Sequence, residues 1–446
     1  MERILYIAIA LVFAFPVFSQ ETGYDMQQPI DIENQSNSEK IQIEEEPQNY
    51  KTEERIEAIE DEPSKKPIQE EEKNPYSHYE STTGGNITPH FSCDYLHGKL
   101  FKAKDIPNTI GSNYFQLSAT LSTGTQPGSY FNWYKKPELG LTFMCGLLGN
   151  YDVLGSVFAL YPTWKYTFFE TSDIGLSIKL GTGLAWFTNP YDKFDNSENT
   201  LIGSHLNNGT EIGLNAWFRF HPQWKIEAGT SFLHFSNCHT KIPNIGINDL
   251  TAKVGVVYEP GTLKDKTTRV RHLPAMDSAW KKTMMVSLGR HKLANTTYPT
   301  DGPSYNVYKL SGYVSKRLTN INEIQFGASV SYYEGYYEFI HLTDYYKHFQ
   351  HLMSSVVMLH IGHEFLINRF GFDTDLGIKV FNPFHRSYFL NKDNSLWHKA
   401  YLAPKVGFKF YPIWNSFDKQ KLALGIYIKS NGLQADYLEY SLSYTF

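Results

Sequence analysis

Beyond residue 86 the chain repeats one pattern, in which segments of about ten residues alternate apolar and polar side chains. The alternation runs through Asn113–Leu121, Glu211–Phe220, Lys421–Ser430 and Ala435–Phe446. No apolar run in this part of the chain approaches the length of a membrane-spanning helix. The pattern therefore predicts many β-strands, each with one apolar face and one polar face.

Two kinds of β-protein alternate in this way. A soluble β-sandwich turns its apolar face inward. A bacterial outer-membrane barrel turns it towards lipid and closes on itself, since lipid cannot satisfy a free sheet edge. The 31 Tyr and 30 Phe, the terminal Phe446 and a predicted signal peptide favour the membrane. We therefore predict an all-β fold, an antiparallel transmembrane β-barrel.

The strand pattern falls into two halves. We expect about eight strands between Asn86 and Tyr258 and about eight more between Lys282 and Phe446. We predict two eight-stranded barrels in tandem, over residues 76–260 and 282–446, joined by a polar linker at 261–281. One larger barrel of about sixteen strands is the alternative.

The first 75 residues have a different character. Residues 4–18 form an apolar run that is too short to cross a bilayer as a helix, which predicts a signal peptide over residues 1–19. Residues 20–75 contain 17 acidic and 6 basic residues, which predicts an acidic disordered tail. Export combined with a barrel predicts the outer membrane of a Gram-negative bacterium.

The cysteines and histidines give no clear metal site. The chain has three cysteines, Cys93, Cys145 and Cys238. An odd number argues against a framework of disulfides, although one disulfide with a third, free thiol is possible. The spacing of His234, Cys238 and His239 matches no zinc-binding pattern, and we predict neither a metal nor a cofactor. An acidic tail without a basic cluster also argues against nucleic-acid binding.

The segment Trp224–Ser236 alternates with Lys225 and Glu227 on one face, which we assign to the barrel interior. The other face, ending in His234 and Ser236, then meets lipid near the outer leaflet. A His and a Ser at headgroup depth need no chemical role. A His within hydrogen-bond reach of a Ser can equally act as a general base for nucleophilic attack.

The stretch HFSN (234–237), followed by PNIGIN (243–248), resembles the active-site segment of the lipid A 3-O-deacylases. This family of acyloxyacyl hydrolase-like proteins forms eight-stranded outer-membrane barrels. Its members remove the ester-linked acyl chain at the 3-position of lipid A with a Ser-His-Glu triad on the outer surface. The resemblance covers residues 86–258 and is specific over 233–248.

The resemblance implies a role for each residue that matches the motif. Ser236 would be the nucleophile, His234 the general base and Asn248 the third catalytic position, where the family has a glutamate. Asn237 and Asn244 would serve positioning and the oxyanion site. The implied function is a serine esterase whose partner is lipid A or lipopolysaccharide. A non-enzymatic barrel, either a pore or a structural protein, is the competing hypothesis.

The second half lacks the general base. When residues 211–237 are aligned without a gap on residues 405–431, Ile428 takes the place of His234, although Ser430 and Asn431 match. We therefore predict that the second half is non-catalytic.

Overall fold

The computed structural model describes residues 86–101, 106, 110–122, 137–261, 263–264, 278–293, 300–319, 321–367, 369–390, 397–412, 421–432 and 434–446. The predicted signal peptide and acidic tail lie outside the described residues, as does most of the predicted linker. Among the helices that are described, none has the length and apolarity that a membrane crossing requires.

Eight antiparallel strands form the first barrel, each paired with the next along the chain, and the eighth pairs with the first to close it. A two-residue strand, β9, adds to the start of β1, and a one-turn helix, α1, separates β3 from β4. The elements are β1 (Asn86–Leu100), β2 (Ser112–Ser122), β3 (Glu138–Leu147), α1 (Tyr151–Leu154), β4 (Ser156–Glu170), β5 (Ile174–Phe187), β6 (Leu206–His221), β7 (Trp224–Ser236), β8 (Ile247–Tyr258) and β9 (Leu263–Lys264).

The second barrel has the same architecture, closed by the pairing of its first and last strands. The described parts of its connections contain four helices. The elements are β10 (Lys281–His291), β11 (Tyr305–Thr319), β12 (Asn322–Tyr333), α2 (Glu334–Thr343), α3 (Gln350–Met353), β13 (Ser355–Ile367), β14 (Phe370–Phe381), α4 (Pro383–Leu390), α5 (Trp397–Tyr401), β15 (Leu402–Phe410), β16 (Lys421–Asn431) and β17 (Gln434–Thr445). The prediction of two eight-stranded barrels is confirmed, and the alternative of one larger barrel is wrong.

The two faces of each strand differ as the alternation predicts. On β7, Trp224 and Ile226 are exposed on the outer surface, while Lys225 and Glu227 are buried in the lumen. The Glu227 carboxylate forms an ion pair with Lys253, at 2.7 Å. Charged groups can lie inside because they neutralise one another there, and the apolar face is left for lipid.

One end of the first lumen is apolar and holds the loops that carry the site. Phe235 points into this cluster and meets Phe187 edge to face, with ring centroids 5.5 Å apart. Leu201 and Ile202, from the connection between β5 and β6, pack in the same cluster, together with Ile247 at the start of β8. Burial of these side chains fixes the end of β7, since moving it would expose apolar area to water.

Among the connections of the first barrel that the structure describes in full, those at the two ends differ in length. At one end lie the short connections 171–173 and 222–223, and at the other lie the longer ones 188–205 and 237–246. Outer-membrane barrels have short periplasmic turns and longer extracellular loops. By that rule the end of β7 that holds His234 and Ser236 is the end expected to face outward.

Ion pairs fill the second lumen. Lys409 lies 2.8 Å from Glu364 and 3.0 Å from Asp373, and Lys309 lies 3.1 Å from Glu439. All five side chains are buried. An eight-stranded barrel has an interior just wide enough for side chains, and here charged pairs occupy it.

Candidate active site on the outer surface of the first barrel

A chain of hydrogen bonds joins Ser236, His234 and Asn248 at the end of β7. The Ser236 Oγ lies 3.0 Å from Nε2 of His234, and Nδ1 of the same ring lies 2.6 Å from Oδ1 of Asn248. His234 and Ser236 share a face because they are two residues apart on one strand. Asn248 faces His234 across the register of β7 and β8. We call these three residues the Ser–His–Asn chain.

The partner of each ring nitrogen determines the tautomer of His234. The amide oxygen of Asn248 only accepts hydrogen bonds, so Nδ1 of His234 donates and carries the proton. In the neutral ring, Nε2 is then an acceptor, and the Ser236 hydroxyl donates to it. This is the arrangement in which an imidazole can take a proton from a serine.

Gly246 lies against one side of the Ser–His–Asn chain. Its φ of +83° lies in the left-handed region, where side chains are strained. A Cβ at this position would lie 3.2 Å from the Phe235 carbonyl oxygen and 3.4 Å from Cε1 of His234. The backbone of the loop can approach the imidazole this closely because the residue is a glycine. The sequence analysis did not single out Gly246 as part of the site.

The two asparagines of the loop have different hydrogen-bond roles. Both Asn237 amide hydrogens are used, since Nδ2 donates to Ser204 Oγ at 3.0 Å and to the Lys241 carbonyl at 2.7 Å. Asn244 Oδ1 accepts from the backbone N–H of Asn237 at 3.0 Å. Among the described residues, none accepts a hydrogen bond from Nδ2 of Asn244. Asn237 therefore holds the loop together. Asn244 is fixed through Oδ1 to the residue that follows Ser236, and its Nδ2 donates to no described residue.

Asp249, the carboxylate next to Asn248 in sequence, points the other way. It is buried in the lumen, where the Tyr114 hydroxyl donates to it at 2.6 Å and the Ser112 hydroxyl donates as well. In the part of the chain that the structure describes, no carboxylate hydrogen-bonds to His234. Asn248 is thus the group that orients the imidazole.

The neighbouring strands add polar groups to the same surface. On β6, Thr210 faces His234 and Asn208 faces Ser236. On β5, Thr182 faces Thr210. The sequence analysis missed these residues, although they interrupt the otherwise apolar outer stripes of β5 and β6. That interruption is the signal that points to them.

The three cysteines and His239 differ in burial and in the ionisation of their side chains. Cys93, Cys145 and Cys238 are free thiols. Burial raises the pKa of Cys238 to about 12 and lowers the pKa of His239 to about 4. Within the described ranges, no group of three or more His, Cys, Asp or Glu side chains could hold a metal ion.

Two family models match the chain. Residues 113–257 match the model described as Lipid A 3-O-deacylase (PagL), and residues 280–446 match the model described as Acyloxyacyl hydrolase, C-terminal domain. The first barrel belongs to the lipid A 3-O-deacylase family. The resemblance carried by residues 233–248 is confirmed, and the Ser–His–Asn chain lies inside the deacylase match.

Solved barrel structures are similar only distantly. The outer membrane enzyme PagL is 16% identical, over 37% of this chain and 97% of that chain, with a TM-score of 0.26. Neisserial surface protein A is 9% identical, over 38% of this chain and 96% of that chain, with a TM-score of 0.26. The β domain of the Bordetella autotransporter BrkA is 10% identical, over 81% of this chain and 99% of that chain, with a TM-score of 0.23. No curated protein sequence matches, and the family assignment rests on the family models.

The second barrel lacks the Ser–His–Asn chain at the equivalent position. Its seventh strand, β16, has Ile428 where β7 has His234 in the gap-free alignment. Ile428 faces Leu438 of β17, as His234 faces Asn248. Two apolar residues thus occupy the positions that the first deacylase barrel gives to an imidazole and an amide.

Proposed function

We propose that the first barrel is a serine esterase that removes the ester-linked acyl chain at the 3-O position of lipid A, in the outer membrane of a Gram-negative bacterium. The observation that supports this most strongly is the continuous hydrogen-bond chain from Ser236 to Asn248 on the outer surface. It lies where the apolar band of the barrel meets the loops, the depth at which acyl esters of an outer-leaflet lipid lie.

Ser236 attacks the ester carbonyl carbon as the nucleophile. Its Oγ forms the new C–O bond while its proton passes to Nε2 of His234, which lies 3.0 Å away. The His ring becomes an imidazolium that keeps its Nδ1–H on the Asn248 oxygen. Because the two side chains are already held in contact, nucleophilic attack and proton transfer need no separate encounter between them.

Negative charge then develops on the former carbonyl oxygen. We assign the stabilisation of this charge to the free Nδ2–H of Asn244, since Oδ1 of that amide is fixed by the Asn237 backbone N–H. Asn237 holds the loop through Ser204 and the Lys241 carbonyl. A donor that is fixed in advance stabilises the oxyanion without reorganising during the reaction.

The intermediate collapses with breakage of the bond between the carbonyl carbon and the sugar oxygen. His234 returns its proton to the departing alkoxide, which leaves as the 3-hydroxyl of the deacylated lipid. The acyl group remains on Ser236 as an ester. Water, deprotonated by the same imidazole, attacks this ester and releases a fatty acid, which restores Ser236.

Asn248 is a positioning residue in this scheme. It selects the tautomer that leaves Nε2 free to accept from Ser236, but an amide cannot balance the charge of the imidazolium as a carboxylate does. We therefore assign it an orienting role, with a slower reaction than a glutamate would give.

We assign no catalysis to the second barrel, since Ile428 faces Leu438 where the first barrel has its base and orienting amide. The competing hypothesis of a pore has less support. The described lumen residues of the second barrel include buried ion pairs such as Lys409 with Glu364, which occupy the space that a channel needs.

Mass spectrometry of lipid A tests the proposal. Lipid A from cells that contain the protein should lack the 3-O-acyl chain that cells without it retain. Cells with the Ser236→Ala variant at equal abundance in the outer membrane serve as the control. Unchanged acylation, in a strain whose lipid A has a 3-O-acyl chain, would refute the esterase and favour a structural barrel.

A further inference from the structure

A closed set of hydrogen bonds lies on the outer face beside the Ser–His–Asn chain. Asn208 Nδ2 lies 3.0 Å from Thr182 Oγ1, Thr182 Oγ1 lies 2.9 Å from Thr210 Oγ1, and Thr210 Oγ1 lies 2.9 Å from Asn208 Oδ1. The three side chains are half-buried and face the lipid side of β5 and β6. We call Thr182, Asn208 and Thr210 the outer-face ring.

The ring adjoins the catalytic groups directly. Asn208 is the cross-strand partner of Ser236, and Thr210 is the cross-strand partner of His234. Directly opposed residues of an antiparallel pair have Cβ atoms about 4.5–5.5 Å apart. An ester bound at Ser236 therefore places its neighbouring atoms within hydrogen-bond reach of the ring.

Two positions further along each strand, away from the loops, the outward-facing residues form an apolar row. It comprises Leu250, Phe232, Ile212 and Leu180, which are successive cross-strand partners on β8, β7, β6 and β5. Polar groups that face hydrocarbon are unfavourable unless they are paired. The ring is thus the polar edge of an apolar surface suited to an acyl chain.

The bonding pattern determines what the ring can recognise. Asn208 donates to Thr182 and also to the Gly183 carbonyl, at 3.0 Å. Thr210 donates to Asn208 Oδ1, so the hydroxyl of Thr182 is left to donate to Thr210. Every side-chain hydrogen of the ring is then used within the protein, while each of its three oxygens keeps an unused lone pair. The ring can accept hydrogen bonds from a ligand but has none left to donate.

We infer that the outer-face ring is a specificity site that accepts a hydrogen bond from a donor group next to the scissile ester, a hydroxyl or an amide N–H. This inference rests on the proposed function. An acceptor-only site favours such a donor over a carbonyl or a phosphate oxygen, both of which are acceptors themselves.

Two groups of an acylated glucosamine lipid have this chemistry. One is a hydroxyl on the second carbon after the ester carbonyl, when the acyl chain is hydroxylated. The other is the N–H of an amide-linked acyl chain on the adjacent sugar carbon. Both lie within a few bonds of the carbonyl that Ser236 attacks, and the experiment separates them.

The test compares three synthetic glucosamine lipids of equal chain length. The first has a hydroxylated ester-linked chain and an adjacent amide. The second lacks the hydroxyl, and the third replaces the amide with an ester. The variants are Thr210→Val and Thr182→Val, each of which removes one hydroxyl at nearly constant shape. The control is Thr230→Val on the outer face of β7, because the Thr230 hydroxyl already donates to the Thr251 carbonyl at 2.9 Å.

We expect the wild-type protein to prefer the first lipid, by kcat/KM, over the second or over the third. Each ring variant should lower that preference about tenfold, the loss expected for one hydrogen bond. Thr230→Val should keep it. If the ring variants lose only the preference for the first lipid over the second, the recognised donor is the acyl hydroxyl. If they lose only the preference over the third lipid, the donor is the amide. Preferences that no ring variant alters would overturn the inference.

Binding separates this inference from the proposed function. The Ser236→Ala protein in detergent micelles should bind the donor-containing lipid more tightly than its analogue, and adding Thr210→Val should remove the difference. Selective binding without hydrolysis by the wild-type protein would refute the esterase and keep the ring. Hydrolysis without selectivity in either assay would refute the specificity role of the ring and leave the esterase proposal standing.

Discussion

The amide oxygen of Asn248 lies 2.6 Å from Nδ1 of His234, at the position where the sequence resemblance implies a glutamate in the family. The neighbouring carboxylate of Asp249 points into the lumen and bonds to Tyr114 instead. The imidazole is therefore oriented by a dipole and not by a charge. An enzyme built in this way keeps the geometry of a triad but gives up part of its electrostatic stabilisation.

Replacement of Ser236 by Ala should abolish deacylation and leave the barrel folded. The change removes only the hydroxyl that bonds to His234 and no apolar group, so it removes the proposed nucleophile and should leave the strand pairing intact. Lipid A deacylation in detergent measures the activity, and the heat-dependent shift in gel migration measures the fold. A folded Ala variant with wild-type activity would rule out Ser236 as the nucleophile.

Changes at Asn248 separate orientation from charge. Asn248→Ala should lower kcat at nearly constant KM, because His234 loses the acceptor that fixes its tautomer. Asn248→Glu should keep or raise kcat, since a carboxylate stabilises the imidazolium. Kinetics of the three proteins under one detergent condition measure both effects. An Ala variant as fast as the wild type would show that another group orients the imidazole.

The role of Asn244 can be tested with an isosteric change. Asn244→Asp keeps the oxygen that accepts from the Asn237 backbone N–H but removes the Nδ2 donor. If Nδ2 serves the oxyanion, kcat should fall by about 10²–10³, the range for loss of one such donor. Rates close to those of the wild type would mean that Asn244 only holds the loop.

Gly246→Ala should impair catalysis through geometry. The added Cβ meets the Phe235 carbonyl and the His234 ring, and the φ of +83° disfavours any side chain. We expect kcat/KM to fall by about 10–10², as for a small displacement of a catalytic group. Gly261→Ala is the matched control, since its φ of +122° is also positive but its Cβ would meet nothing. Equal losses in both variants would point to general strain.

Cys238 should resist alkylation in the folded protein. Burial raises the pKa of its thiol to about 12, so the reactive thiolate is scarce at pH 8. A Cys93→Ser, Cys145→Ser variant leaves Cys238 as the single cysteine. Mass spectrometry after treatment with iodoacetamide should show no label at this position until the protein is denatured. Rapid labelling in the folded state would contradict the burial of this loop.

Much of the site could be predicted because it lies within one strand and one short motif. The alternation along Trp224–Ser236 places His234 and Ser236 on the same outer face, since side chains repeat every second residue. The same alternation sends Asp249 to the face opposite Asn248. Those relations are local and need no knowledge of the partner strands.

The sequence by itself determined the two-faced strands, the tandem barrels and the placement of His234 and Ser236 on one face of β7. Only the tertiary structure placed Asn208 opposite Ser236, Thr182 opposite Thr210 and the free donor of Asn244 beside the site. Cross-strand register depends on the turn that joins the strands, and a shift between Arg219 and His221 alters the register between β6 and β7. The contact between Asn248 and His234 depends likewise on how residues 237–246 fold back, which no local pattern specifies.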